Sequence, residues 1–445
     1  MAFIIITPSN AYQKLATFQK AFIFSSAMIL IIARTGGQFI HYMCQVILAN
    51  SLDNIRFGDI YLLFSLINLL MWPGMIIQIV YCRYTVTFMR LEKPGNLVWF
   101  LQRTGRKVII ACVAVIPFFV ILSPYIADFL NIISPVGFMW LGPIFVALIV
   151  MFSLFGVLQG MENFLALGLG YLGQALLKII GILFAIYIGT MYGGVLFSIL
   201  ISMVIVSAVI YWYINALLKG VTPARIEGIK KSVLLYAVSV TIVNFLFGII
   251  NNMDIILVKH FFSPILAGDY GRVSMVGRIF FYVSSSFILT VFPKMARRYD
   301  ENRRLTPLLL YSTLAIIGLG GISVAFSAMF TDLPFKILFP SKSIPEPWLL
   351  VPMMTAMVLQ SLILLFVNFF FISINLFSII LLLVIAVFQA IGIFLFHSSM
   401  YQVLSVLCAV GFTGFFVMFL LAGYLIKTKR IAPALREPFN NLSTS

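Results

Sequence analysis

Acidic side chains are scarce in this sequence. Its 445 residues hold 13 Asp and Glu against 29 Lys and Arg, and charged residues make up only 9% of the chain. A water-soluble domain covers its surface with roughly a quarter charged residues, so the soluble globular class is excluded. Cysteine is equally thin. Cys44, Cys82, Cys112 and Cys408 lie in or beside apolar runs without paired or metal-type spacing, and they read as small apolar fillers. The three histidines, His41, His260 and His397, form no ligand cluster with them. No G-x-x-x-x-G-K-[ST] loop is present, so the chain is not expected to hydrolyse ATP, and no cofactor or metal is expected. The first residues, MAFIIITPSNAYQK, lack the basic start of a cleaved signal peptide, so the first apolar span is expected to serve as an uncleaved signal-anchor.

Apolar sequence fills the space those absences leave. Hydrophobic residues are 62% of the chain and the mean hydropathy is +1.12, which is the composition of a polytopic membrane protein. Apolar windows separated by polar punctuation predict twelve spans, at 21–49, 60–82, 107–127, 138–159, 164–188, 192–218, 232–253, 270–292, 307–330, 348–372, 375–396 and 401–426. The least marked divisions are at Gly189–Tyr192 and near Asn375.

Basic residues set the expected orientation. Loop 2–3 (Arg83, Arg90, Lys93, Arg103, Arg106, Lys107), loop 6–7, loop 8–9, the N-terminus and the tail carry most of them. The alternate loops hold only Arg56, Lys259, Lys336 and Lys342. By the positive-inside rule both termini are cytoplasmic, which requires an even number of spans. The basic excess is thus a topology signal with some attraction to anionic headgroups, and nucleic acid is not an expected partner. Four cations remain inside spans: Arg34, Lys178, Arg272 and Arg278. Asp59 and Asp269 fall in outer loops on this reading, which leaves Asp254 as the one acid at membrane depth and the interior net positive.

Those cations make the candidate site. In the first span Arg34, Gln38, His41 and Gln45 are spaced by four, three and four residues, which puts them on one helical face. A cation at mid-helix costs about 2.5–3.5 kcal/mol to insert, so it needs an anion, carbonyls or a wet cavity. Either Arg34 pairs with a neighbouring helix or this face walls an aqueous path. In the fifth span Gln174 and Lys178 lie one turn apart, and in the seventh Asn244, Gly248 and Asn251 share a face that packs helices or lines the path. Arg278 is in register with Tyr282 and Ser285, whereas Arg272 is near enough to the interface to snorkel. Asp254 either exchanges a coupling ion or pairs with one of the cations.

A shift of 210 residues lays Phe57-Gly58-Asp59-Ile60 on Ala267-Gly268-Asp269-Tyr270. A six-span unit repeated in one orientation predicts two lobes about an axis along the membrane normal. The expected division is an N-terminal lobe 1–218, a cytoplasmic linker 219–231, a C-terminal lobe 232–426 and a tail 427–445.

The stretch NNMDIILVKHFFSPILAGDYGRVSMVGRIFFYVSSSFILTVFPKMAR (251–297), with its Ala267-Gly268-x-Tyr270 motif, resembles the bacterial O-antigen (Wzx-type) flippases. So does the run from Arg34 through ILANSLDNIRFGDIYLLFSLINLL. These proteins belong to the MOP superfamily, with the MATE drug exporters and the lipid II flippases. The resemblance implies an all-α MATE-like fold of twelve transmembrane helices in two six-helix lobes, placed in the bacterial inner membrane. It implies flipping of an undecaprenyl-pyrophosphate-linked oligosaccharide by alternating access; the missing nucleotide site makes an H+ or Na+ gradient the expected drive, with Asp254 or His41 as proton sites. The implied partners are that lipid-linked cargo, the surrounding lipids, and the polymerase and chain-length proteins of surface-polysaccharide synthesis. Cationic groups suit a pyrophosphate, which arginine binds bidentately. A MATE-like cation exporter should instead present acids to its cargo. An O-antigen polymerase or ligase should carry a large outer loop, and a scaffold would not need four intramembrane cations. A transporter, not an enzyme, is the expectation.

Overall fold

The structure, a computed structural model, describes residue 30 and residues 32–427, save 92, 133, 225–230, 301–303, 343, 345 and 372–375. The N-terminal start of the first predicted span, residues 225–230 of the linker, the division near Asn375 and the tail from 428 therefore lie outside the described residues.

Apolar runs this long must satisfy their backbone internally, and helices do so. Helix α1 covers 32–51. It is followed by α2 (Asn54–Arg90), α3 (Pro94–Val113), α4 (Ile116–Phe129), α5 (Val136–Met139), α6 (Leu141–Gly160), α7 (Phe164–Ile188), α8 (Met191–Leu217), α9 (Lys231–Phe261), α10 (Pro264–Asp300), α11 (Thr306–Met329), α12 (Leu333–Leu338), α13 (Leu350–Phe371), α14 (Leu376–Leu395) and α15 (Met400–Lys427). Among the described residues ten helices are long and apolar enough to cross a membrane, and α14 adds a shorter apolar run, Ile379–Leu395. Every predicted window meets a helix. The break at Gly189–Tyr192 falls where expected: Gly189 ends α7 with φ +84°, a left-handed turn that glycine adopts without strain.

Loop 2–3 departs from expectation. Much of it is helical, and Arg103, Arg106 and Lys107 ride on α3. Hydropathy windows stop where charge begins, but a helix continues as long as its backbone bonds can be made.

The 210-residue shift holds across the whole chain. It carries Asn54, the start of α2, onto Pro264, the start of α10, and both helices run 37 residues. It lays α7 over α14, and it carries Leu217 at the end of α8 onto Lys427 at the end of α15.

The chain packs as two compact units that do not follow its order. One comprises 1–45, 77–114 and 146–227; the other comprises 46–76, 115–145 and 228–445. Helix α2 passes from the second into the first within a turn of Pro73. In the first unit α7 and α8 approach closely, because Gly181 meets Ser198 and Gly194 meets Ala185. In the second unit α2 crosses α10 through glycines. A Cβ on Gly58 would lie 3.2 Å from the Gly268 nitrogen, and one on Gly268 would strike the Asn54 carbonyl. These two glycines are the pair that the repeat aligns.

Candidate functional site

The first unit carries the polar face of α1. Gly37 presses that helix against α7, since its Cβ would lie 3.3 Å from the Tyr171 carbonyl oxygen. Arg34, half-buried, places its guanidinium 5.8 Å from the centre of the Tyr171 ring, a cation–π distance. Tyr171 is fixed in turn by Phe155, with ring centres 4.5 Å apart, and its hydroxyl accepts from Gln78 at 3.5 Å. Gln78 also donates to Gln159 at 2.9 Å. Further along the same face, half-buried His41 faces Gln174 and Lys178 of α7. Gln174 donates to the Ser202 hydroxyl at 3.2 Å. Lys178 is 7% exposed and lies near Cys44 as well as His41. Gln38 is exposed and Gln45 half-buried. The structure thus brings Arg34 and His41 of α1 against Tyr171, Gln174 and Lys178 of α7, with Gln38 and Gln45 on the same helix as Arg34. Among the described residues Glu162, at the turn between α6 and α7, is the one acid of this unit.

The second unit treats its cations differently. Arg278 donates through Nε to the Ser274 hydroxyl at 2.9 Å, through one terminal nitrogen to Asn251 at 2.6 Å, and through the other to both Asp254 oxygens at 2.9 and 3.2 Å. Tyr270 donates to the same carboxylate at 2.8 Å, and Asn251 donates to Gln360 at 2.6 Å. Asp254 is fully buried, so each of its bonds acts in a low dielectric. Arg272, also fully buried, donates to Asn54 at 2.7 Å, to Asp269 at 3.4 Å and to the Ala49 carbonyl at 3.1 Å, and its guanidinium sits 4.9 Å over the Phe57 ring. Lys259 pairs with Asp59, and both are buried. Asn244 is half-buried on α9, and Gly248 leaves room for the indole of Trp72.

These pairs correct the charge count made from sequence. Asp59 and Asp269 are not loop residues; they lie in the second turns of α2 and α10, which extend beyond the windows assigned to them. At about 1.5 Å per residue a 37-residue helix is near 55 Å long, well over a hydrocarbon core of about 30 Å. At least three acids, not one, meet buried cations among the described residues: Asp59, Asp254 and Asp269, each pair lying within the second unit. Arg272 does not snorkel. The sequence reading also missed Tyr270 and Ser274, although a spacing of four residues sets them on the Arg278 face of α10, and it missed Tyr171 beneath Arg34.

The repeat relates the two faces. The shift of 210 places Arg34 on Asn244, Gln38 on Gly248, His41 on Asn251 and Cys44 on Asp254. The two equivalent helices therefore differ in sign as well as in detail: α1 presents cationic and titratable groups where α9 presents amides beside a carboxylate. No group of three or more His, Cys, Asp and Glu able to hold a metal ion occurs among the described residues.

No protein-family model matches the chain, and no curated protein matches it. Solved structures do. An inward-facing multidrug resistance MATE family transporter of the MOP superfamily superposes with a TM-score of 0.70 at 15% identity, over 91% of this chain and 100% of that one. A MATE protein in complex with MaL6 matches at 0.65 and 13% identity, over 92% and 97%. A MOP superfamily transporter from Pyrococcus furiosus, described as having a binding pocket of reverse polarity that suggests a different function, matches at 0.58 and 14% identity, over 90% and 95%. The chain therefore has the MATE/MOP transporter fold and is a multi-pass membrane protein.

Proposed function

We propose that this chain uses the MOP transporter fold to flip an undecaprenyl-pyrophosphate-linked oligosaccharide from the cytoplasmic to the outer leaflet of the bacterial inner membrane. The supporting observation is the sign of the two polar faces. The first unit holds Arg34 and Lys178 beside Gln38, His41, Gln45 and Gln174, with Glu162 its sole described acid. The second unit has matched its buried cations with carboxylates. A site left cationic suits a pyrophosphate, and Arg34, already aimed across Tyr171, is the group we assign to bind it. Arg278, with every guanidinium nitrogen bonded within the protein, and Arg272, paired with Asp269, hold the second unit together in this reading, and Asn244 and Asn251 line or brace its face. The lipid tail stays in the bilayer while the headgroup crosses by alternating access of lobes 1–218 and 232–426, with both termini cytoplasmic. A proton or sodium gradient resets the lobes, through Asp254 or His41. Transport that continues after both gradients are collapsed removes that coupling.

The test is deletion in the native host. Loss of the chain is expected to deplete surface polysaccharide and to accumulate the lipid-linked repeat unit on the cytoplasmic side. Unchanged surface glycan sinks the reading. The neighbouring MATE folds favour a second reading, a multidrug or cation antiporter. It predicts sensitivity to cationic dyes on deletion, with the surface glycan intact.

A further inference from the structure

The first unit holds a cavity of about 740 Å³ that the reading above does not use. It lies among α2, α3, α6 and α8, and its walls are mostly Val, Leu and Ile. Three things about it ask for an occupant. Arg106, exposed on α3, stands at its edge with Gln102 and Asn215. Ser207, 7% exposed, lines it with a buried hydroxyl that has no hydrogen-bond partner. Ser153 in the same wall closes its own hydroxyl onto the Ile149 carbonyl at 2.8 Å, which is the usual solution within a helix. Ser207 has not taken it.

The repeat supplies the third. Shifting by 210 carries Arg106 onto Ile316, Ser153 onto Ile363, Ser207 onto Val417 and Asn215 onto Leu425. The second half has apolar residues at these four places and keeps a polar one, Ser312, opposite Gln102, so Arg106 and Ser207 are a property of this cavity and not of the architecture. A cation and an unsatisfied hydroxyl thus line one mostly apolar chamber.

We infer that this cavity holds a bilayer phospholipid with an anionic head, its phosphate on Arg106, its ester region reaching Ser207 and an acyl chain along the Val, Leu and Ile walls. Charge complementarity selects an anionic head over a zwitterionic one, and the apolar lining selects a lipid over a free phosphate. The site is separate from the α1–α7 face and holds whatever the transported cargo is.

The experiment is native mass spectrometry of the full-length purified chain in detergent, titrated with dioleoyl phosphatidylglycerol or dioleoyl phosphatidylcholine. The wild type is expected to retain phosphatidylglycerol in preference, and Arg106→Gln to lower that retention about tenfold, the scale of one charge-assisted contact. Lys107→Gln, a neighbouring exposed cation that does not line the cavity, is expected to change nothing. Ser207→Phe, which puts a ring where the ester region would sit, is expected to lower retention of both lipids. Equal retention of the two lipids by the wild type overturns the inference. So does an equal loss in Lys107→Gln and Arg106→Gln, which would mark a diffuse surface charge effect.

Discussion

Arg278 gives each of its nitrogens to a side chain, and Asp254 accepts from both Arg278 and Tyr270. Removing one partner of such a buried pair leaves an uncompensated charge, which costs about 3–5 kcal/mol. Asp254→Asn is therefore expected to lower the thermal midpoint of the purified protein sharply, while the double change Asp254→Leu with Arg278→Met recovers much of the loss. A double variant as unstable as the single one would show that the pair is not the source. Arg34 makes the opposite prediction. It is half-buried and rests on an aromatic face, so Arg34→Gln is expected to leave the unfolding midpoint nearly unchanged and to cut transport at least tenfold. If midpoint and transport fall together, Arg34 is structural. Much of this was readable in sequence: the spacing 34, 38, 41, 45 announces one face. What could not be read was which cation finds a carboxylate, because Asp254 meets Arg278 across two helices and 24 positions.

Among the elements, the crossing of α2 and α10 depends on the absence of side chains. Gly268→Ala would drive a methyl group into the Asn54 carbonyl, and backbone cannot step aside as a flexible side chain can. The expected cost is about 1–3 kcal/mol, the range for overpacking, read as a lowered unfolding midpoint. Gly193→Ala, whose Cβ meets open space, is the control and should be near neutral or slightly stabilising. Helix existence was legible because a membrane demands some twenty apolar residues per crossing. Helix ends were not. Nothing in hydropathy tells a helix to stop at the bilayer edge, so the acids in the second turns of α2 and α10 were taken for loop residues.

For the whole molecule, the repeat was legible from a four-residue match and extends to helices across the chain, since helix lengths persist where side chains have changed. The grouping into units was not legible, because Val46–Ile76 and Val115–Phe145 pack with residues far along the chain, and local periodicity carries no record of that. The charges at the glycine crossing show how far two related halves can drift. Asp59 finds a lysine at 259; its counterpart Asp269 would look for one at position 49 and finds alanine, and Arg272, standing where the first half has Leu62, reaches in from another side. One electrostatic debt has been settled from two different rungs. Arg272→Leu should cripple folding, and adding Ala49→Lys should restore part of it by rewriting the second half in the spelling of the first. Expression and unfolding midpoint would read the outcome, and a double variant no better than the single would mean that the halves no longer share an interchangeable plan.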